Sequence, residues 1–196
     1  MKIFQSNILY VFLFVFFLLD FSLDILNSTF NDDYGDYLSH DYSEYLTKSG
    51  KSIIDLVDRS EKVVFFPREN TPYCKSNNVL GYVDYPYLDN GNYFSNLAIC
   101  TNRILRYRNN FSERQEEIDK TLNHEALHAA QLCHPPSSDF LPFGIRNGMF
   151  SNKIHANLSS EIYRDLSPTG KLVELEAFYV EDRPHLVKQY LIKHCY

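Results

Sequence analysis

The first pattern in the chain is an unbroken apolar run from Ile8 to Leu19, behind Lys2 and ahead of Asp20. Its twelve residues would make a helix about 18 Å long. That is short of the roughly 30 Å hydrocarbon core of a bilayer and matches the apolar region of a signal peptide, about 7–15 residues. No small-x-small site follows in Asp20–Leu26. Residues 1–26 therefore read as a signal peptide or a short uncleaved membrane anchor, and both predict an exported chain. Residues 27–60 are polar and acidic, with Asp32, Asp33, Asp36, Asp41 and Glu44 set among tyrosines. They read as a spacer carrying one short helix near 52–60.

From residue 61 onward the periodicities are those of a folded domain. Val63–Phe66 ahead of Pro67 predicts a strand. The runs Val79–Tyr87 and Tyr93–Cys100, separated by Asp89-Asn90-Gly91, predict a hairpin. Helical spacing then takes over. Ile118, Leu122, Ala126, Ala129 and Leu132 form an apolar stripe. Ser112-Glu113-Arg114-Gln115 fits a capping box at its start and Pro135-Pro136 a stop at its end. A second helix over Leu172–Asp182 follows Ser167-Pro168 and breaks at Pro184. A short β-sheet region followed by helices is an α+β arrangement, with the domain at 61–196.

Composition adds three points. A net charge of −6, from 19 basic and 25 acidic residues, argues against a nucleic-acid-binding surface, which needs clustered Lys and Arg. Fifteen Tyr and fifteen Phe, with no Trp, supply bulk for a core. The four cysteines are Cys74, Cys100, Cys133 and Cys195, an even number that suits disulfides in an oxidising compartment. Cys74 and Cys100 bracket the β-rich block, while Cys133 and Cys195 lie near the ends of predicted helices, so the expected pairs are 74–100 and 133–195.

The chemistry sits inside the first long helix. Asn123-His124-Glu125-Ala126-Leu127-His128 contains His-Glu-x-x-His. Four residues are about 400° of helix, so His124 and His128 project one turn apart on one face. Two imidazoles so placed can each give a nitrogen to one Zn²⁺. Glu125 can reach past the first of them to a zinc-bound water, take its proton and pass it to a leaving amine. No other charged residue lies between Thr121 and Ala130. The stretch resembles the zinc-binding helix of the zincin metallopeptidases.

Catalytic zinc takes three protein ligands, and the third is open between two branches of that resemblance. In the metzincin pattern it falls on His134, although Gln131 stands where that pattern has Gly. In the Glu-zincin branch it comes from a later helix. Glu174-Leu175-Glu176-Ala177 resembles the Glu-x-x-Ala pattern there, with Glu174 as ligand and Ala177 as the small residue that lets two helices approach. Glu176 is the alternate on the same helix. Those families follow the Ala with Asp or Asn to orient a ligand His, whereas Phe178 stands here; Glu181, seven residues beyond Glu174, shares its face. Tyr163, Tyr179, His155 and His185 are candidates to stabilise an oxyanion.

The resemblance implies a small zincin-like domain and a zinc metallopeptidase acting on a peptide or protein substrate. His124, His128 and Glu174 would hold the metal and Glu125 would activate the water. Two other readings compete: an exported zinc-binding module without peptidase activity, and a disulfide-stabilised structural domain in which the motif is accidental.

Overall fold

The computed structural model describes residues 42–76, 78–89, 92–134, 140–145, 147–158 and 163–196. The apolar segment 8–19 and the start of the spacer lie outside these residues. Among the described residues no helix is long and apolar enough to cross a membrane.

The domain begins earlier than residue 61. A 3₁₀ turn at Tyr42–Tyr45 leads into helix α1, Lys48–Asp58, and Thr47 caps that helix by accepting from the Gly50 amide. Tyr42, Tyr45, Leu46, Ile53 and Val57 are all buried in the core. The second half of the expected spacer is therefore structural, and its helix starts at Lys48 instead of Ser52. The acidic and tyrosine-rich composition concealed an amphipathic pattern: Ile53 and Val57 are spaced i,i+4 and face inward while the charges face water.

The sheet is mixed and centred on β4, Asn92–Ile99. On one side β1, Val64–Glu69, pairs parallel to it, Val64 opposite Phe94 and Glu69 opposite Ile99. On the other side β2, Gly81–Val83, and β3, Tyr87–Asp89, pair antiparallel to its two ends in turn. The run Val79–Tyr87 thus forms the expected antiparallel arm against the Tyr93–Cys100 run, but as two strands, not one continuous strand. Asp84 makes the break: its amide donates to the Asn96 carbonyl while its carboxylate accepts from the Asn96 side chain. Pro86, without an N–H, cannot continue the ladder. Pro67 is tolerated in β1 because that strand lies at the sheet edge. Helix α2, Pro72–Ser76, lies on the connection from β1 to β2.

After β4 comes α3, Thr101–Tyr107, then the central helix α4, Phe111–Leu132. Its N-cap is Asn110, not Ser112. Asn110 Oδ1 accepts from the Glu113 amide at 2.9 Å, and Glu113 returns an oxygen to the Asn109 amide at 3.2 Å. Every residue from Thr121 to Leu132 is buried, because α4 packs against β2, β4, α1 and the two C-terminal helices. The short α5, Asn152–Asn157, precedes α6, Pro168–Val180, and α7, Pro184–Cys195. Ser167 caps α6 through the Gly170 amide, with Pro168 in the first turn.

Both expected disulfides form. Cys74–Cys100 ties α2 to the end of β4, and Cys133–Cys195 ties the end of α4 to the end of α7. Two such bonds suit an oxidising compartment.

Candidate metal centre

Helices α4 and α6 meet where Ala177, with no exposed surface, lets them approach. At that meeting His124, His128 and Glu174 come together as one group, each offering a ligand atom within 4.8 Å of the others. The two imidazole Nε2 atoms are 3.2 Å apart. Glu174 Oε2 is 3.3 Å from His124 Nε2, and its Oε1 is 3.5 Å from His128 Nε2. A tetrahedral zinc with bonds of 2.0–2.1 Å separates its ligands by about 3.3 Å, so nitrogen and oxygen donors at these spacings fit that ion.

The proton positions fit as well. Gln131 Nε2 donates to the Val173 carbonyl at 3.3 Å and to Glu176 Oε2 at 3.0 Å. Both partners are acceptors, which fixes the orientation of the amide. Gln131 Oε1 therefore faces His128 Nδ1, 2.8 Å away, and accepts its proton. The His128 Nε2 lone pair is left pointing at His124 and Glu174.

Charge in the group is tightly balanced. Burial opposes a charge on His128, but the Glu174 carboxylate outweighs it and raises the imidazole to about 9. Burial would likewise raise Glu174, yet the two imidazoles beside it hold it well below the usual carboxylate range. The three groups together call for positive charge, from a proton or a metal. Glu125 is buried next to them. Burial raises its pKa, and His124 and His128 only partly offset the rise.

The group opens on a cleft. One half, about 590 Å³, has aromatic and apolar walls that include Tyr82, Tyr85, Phe140, Leu141 and Val173. The other half is lined by charged groups, among them Arg108, Lys120 and Glu181. Gly81, His124, Glu125 and Tyr163 border both halves.

The remaining candidates separate by position. His134 is packed against Phe143 and His194 and is outside the ligand group, so the metzincin arrangement does not form. Glu176 is fully buried and faces the other way. Its Oε2 accepts from Gln131 and the Phe143 amide, and its Oε1 from the amides of Gly144 and Ile145. No capacity remains for a metal. The sequence marked Gln131 only as a missing glycine and Glu176 only as an alternate ligand; their hydrogen-bonding role had no sequence signal. Phe178 packs its ring against His124, centroids 4.7 Å apart at 64°, and so restrains that imidazole by packing where a carboxylate would do so by hydrogen bonding. The Glu181 carbonyl accepts from Asn123 Nδ2 at 2.7 Å, linking the end of α6 to α4.

Of the four oxyanion candidates, Tyr163 borders the cleft. Burial, followed by the charges of Glu174 and Glu125, raises its pKa, which keeps its phenol a proton donor. Tyr179 packs against Phe150 and Arg183, His155 packs against Phe150, and His185 lies exposed at the start of α7.

No curated protein and no solved structure matches this chain. A family model described as "Domain of unknown function (DUF8637)" matches residues 42–196, a stretch that opens on the first buried tyrosine of the core. The chain belongs to the DUF8637 family.

Proposed function

We propose that this protein is a zinc-dependent metallopeptidase with a zincin-like domain of the Glu-zincin type, hydrolysing peptide bonds in an exported setting. The observation that carries the reading is the approach of His124 Nε2, His128 Nε2 and Glu174 at 3.2–3.5 Å, beside a buried Glu125 and at the floor of a cleft. Two imidazoles and a carboxylate turned toward one point away from water call for a compensating cation, because uncompensated buried charge is costly.

His124, His128 and Glu174 would hold the metal. Zinc bound there supplies Lewis acidity that polarises the scissile carbonyl and makes the attacking water more acidic. Glu125 accepts the proton from that water and returns it to the departing amine. Burial disfavours the charged carboxylate there, which favours its taking up the proton. Tyr163, held protonated, donates to the oxygen that gains charge at the attacked carbon. The cleft walls position the peptide and exclude water around it.

Metal content by mass spectrometry on the purified full chain tests the assignment. One zinc per chain is expected, lost in Glu174→Ala and His124→Ala and kept in His134→Ala. Glu125→Gln is expected to keep the zinc and to lower peptide hydrolysis by about 10²–10⁴-fold. A folded, never-chelated chain without zinc would overturn the reading. Zinc present, with no hydrolysis by the natural chain, would leave a binding module in its place.

A further inference from the structure

Glu176 and Gln131 stand between two parts of the site that share no element. On one side is His128, whose Nδ1 proton rests on Gln131 Oε1 at 2.8 Å. On the other is the segment 140–145, which has no regular secondary structure and walls the aromatic half of the cleft through Phe140 and Leu141. Three successive amides of that segment, Phe143, Gly144 and Ile145, donate to the Glu176 carboxylate at 2.7–2.8 Å. Gly144 takes a φ of +80° there, a conformation a side chain would oppose. Gln131 closes the connection by donating to Glu176 Oε2 at 3.0 Å. The segment also meets the ligand directly, since the Phe140 ring packs edge-on against His128 with centroids 5.6 Å apart.

We propose that Gln131 and Glu176 are positioning residues that couple the metal ligand His128 to the cleft wall at 140–145, so that filling the metal site orders the wall. The inference rests on the metal reading given above. A carboxylate accepting four hydrogen bonds in a fully buried setting is held strongly. Any motion of the wall must therefore move Glu176, and through Gln131 it reaches His128. Metal binding fixes the His128 ring, and the same connection then restricts the wall. By linkage, the factor by which bound metal favours the ordered wall is the factor by which the ordered wall raises metal affinity. Gln131→Ala breaks the connection between wall and ligand while leaving the three amides on Glu176. Glu176→Gln keeps the shape but replaces an acceptor oxygen by a donor nitrogen that opposes those amides.

The test is amide hydrogen exchange at residues 143–145 in the full chain, with and without zinc, beside zinc affinity measured by competition with a chromophoric chelator. In the natural protein, zinc is expected to slow exchange at these amides. In Gln131→Ala, zinc affinity is expected to fall about 10–100-fold, with little further slowing at saturating zinc. Glu176→Gln is expected to exchange faster at 143–145 even without metal. Gln131→Met serves as a second variant, since it fills the same volume without accepting from His128 or donating to Glu176; it should lose both the affinity and the slowing. Tight zinc binding by the natural chain with no change in exchange, or unaltered affinity in a folded Gln131→Ala, would overturn the coupling and leave the metal site intact. Failure of the natural chain to bind zinc would overturn the metal reading, and the coupling with it.

Discussion

Gly81 on β2 is the residue on which the position of Glu125 turns. A methyl group added there would lie 2.9 Å from Glu125 Cγ, 2.6 Å from Thr121 Cγ2 and 2.9 Å from the Ala98 carbonyl oxygen. The close approach of strand to helix, not any special backbone angle, requires glycine. On the metallopeptidase reading proposed above, Gly81→Ala is expected to push Glu125 aside and lower peptide hydrolysis by about 100-fold, the scale of a misplacement near 1 Å. On the same reading, metal content should match that of the natural chain, because none of the crowded atoms belongs to His124, His128 or Glu174. Parallel measurement of kcat/KM and metal content checks this; loss of both together would show that the glycine only maintains the fold. A second residue-level distinction separates Glu174 from Glu176. Two positions apart on one helix, they point about 200° apart. Their charge and helical context are the same, so both were candidates in the sequence. The crossing of α4 and α6 turned one to the histidines and the other to the amides of 143–145.

Among the elements, α4 carries the site, and its start depends on a cap. Asn110 and Ser112 are both good N-caps and each precedes a Glu or Gln at helpful spacing. The helix begins at Phe111, capped by Asn110, and the largely exposed Phe111 ring rests against Tyr45, centroids 5.2 Å apart. Asn110→Ala is expected to cost about 1 kcal/mol and to lower the thermal midpoint by roughly 2–4 °C. Ser112→Ala, within the first turn, should change little, and thermal unfolding of the two variants side by side distinguishes the caps. The strands show the opposite balance. Their existence follows from the alternation of β-branched and aromatic residues, whereas the parallel pairing of β1 with β4 has no local signal, since the chain between them contains a helix and two further strands.

At the scale of the whole molecule, the C-terminal helix closes the core over α4. The Cys133–Cys195 bond fixes that closure across 62 residues of sequence. Beside it lies His194, buried against His134, Phe143 and Tyr190, with no hydrogen-bond partner on Nε2 among the described residues. Burial, followed by the charges of His134, Lys193 and Lys62, lowers its pKa from the ordinary 6.5 to about 4. Between these values the unfolded chain holds a proton that the folded chain does not. Stability from this group is therefore complete above pH 6.5 and is lost as pH falls toward 4. His194→Phe keeps a flat ring in the stack and removes the titration. The midpoint of the natural protein should drop more steeply than that of the variant between pH 6.5 and 4; parallel slopes would show that other groups carry the acid sensitivity.

The sequence by itself determined the mixed α+β class, the helix bearing His124, Glu125 and His128 and the second helix with Glu174, and it suggested the two cysteine pairs that the fold then made. Each of these is written in local spacing: a 3.6-residue period, an i,i+4 pair, a cap, or cysteines at element ends. It misassigned residues 42–60, because sparse apolar positions among acids and tyrosines resemble a spacer until a core is present to bury them. The choice of Glu174 as the group facing both histidines, the use of Glu176 and Gln131 to hold a cleft wall, the exclusion of His134 and the need for glycine at 81 were decided only by tertiary structure. Each depends on which faces of α4, α6 and β2 meet, and that is settled by packing between residues far apart in the chain.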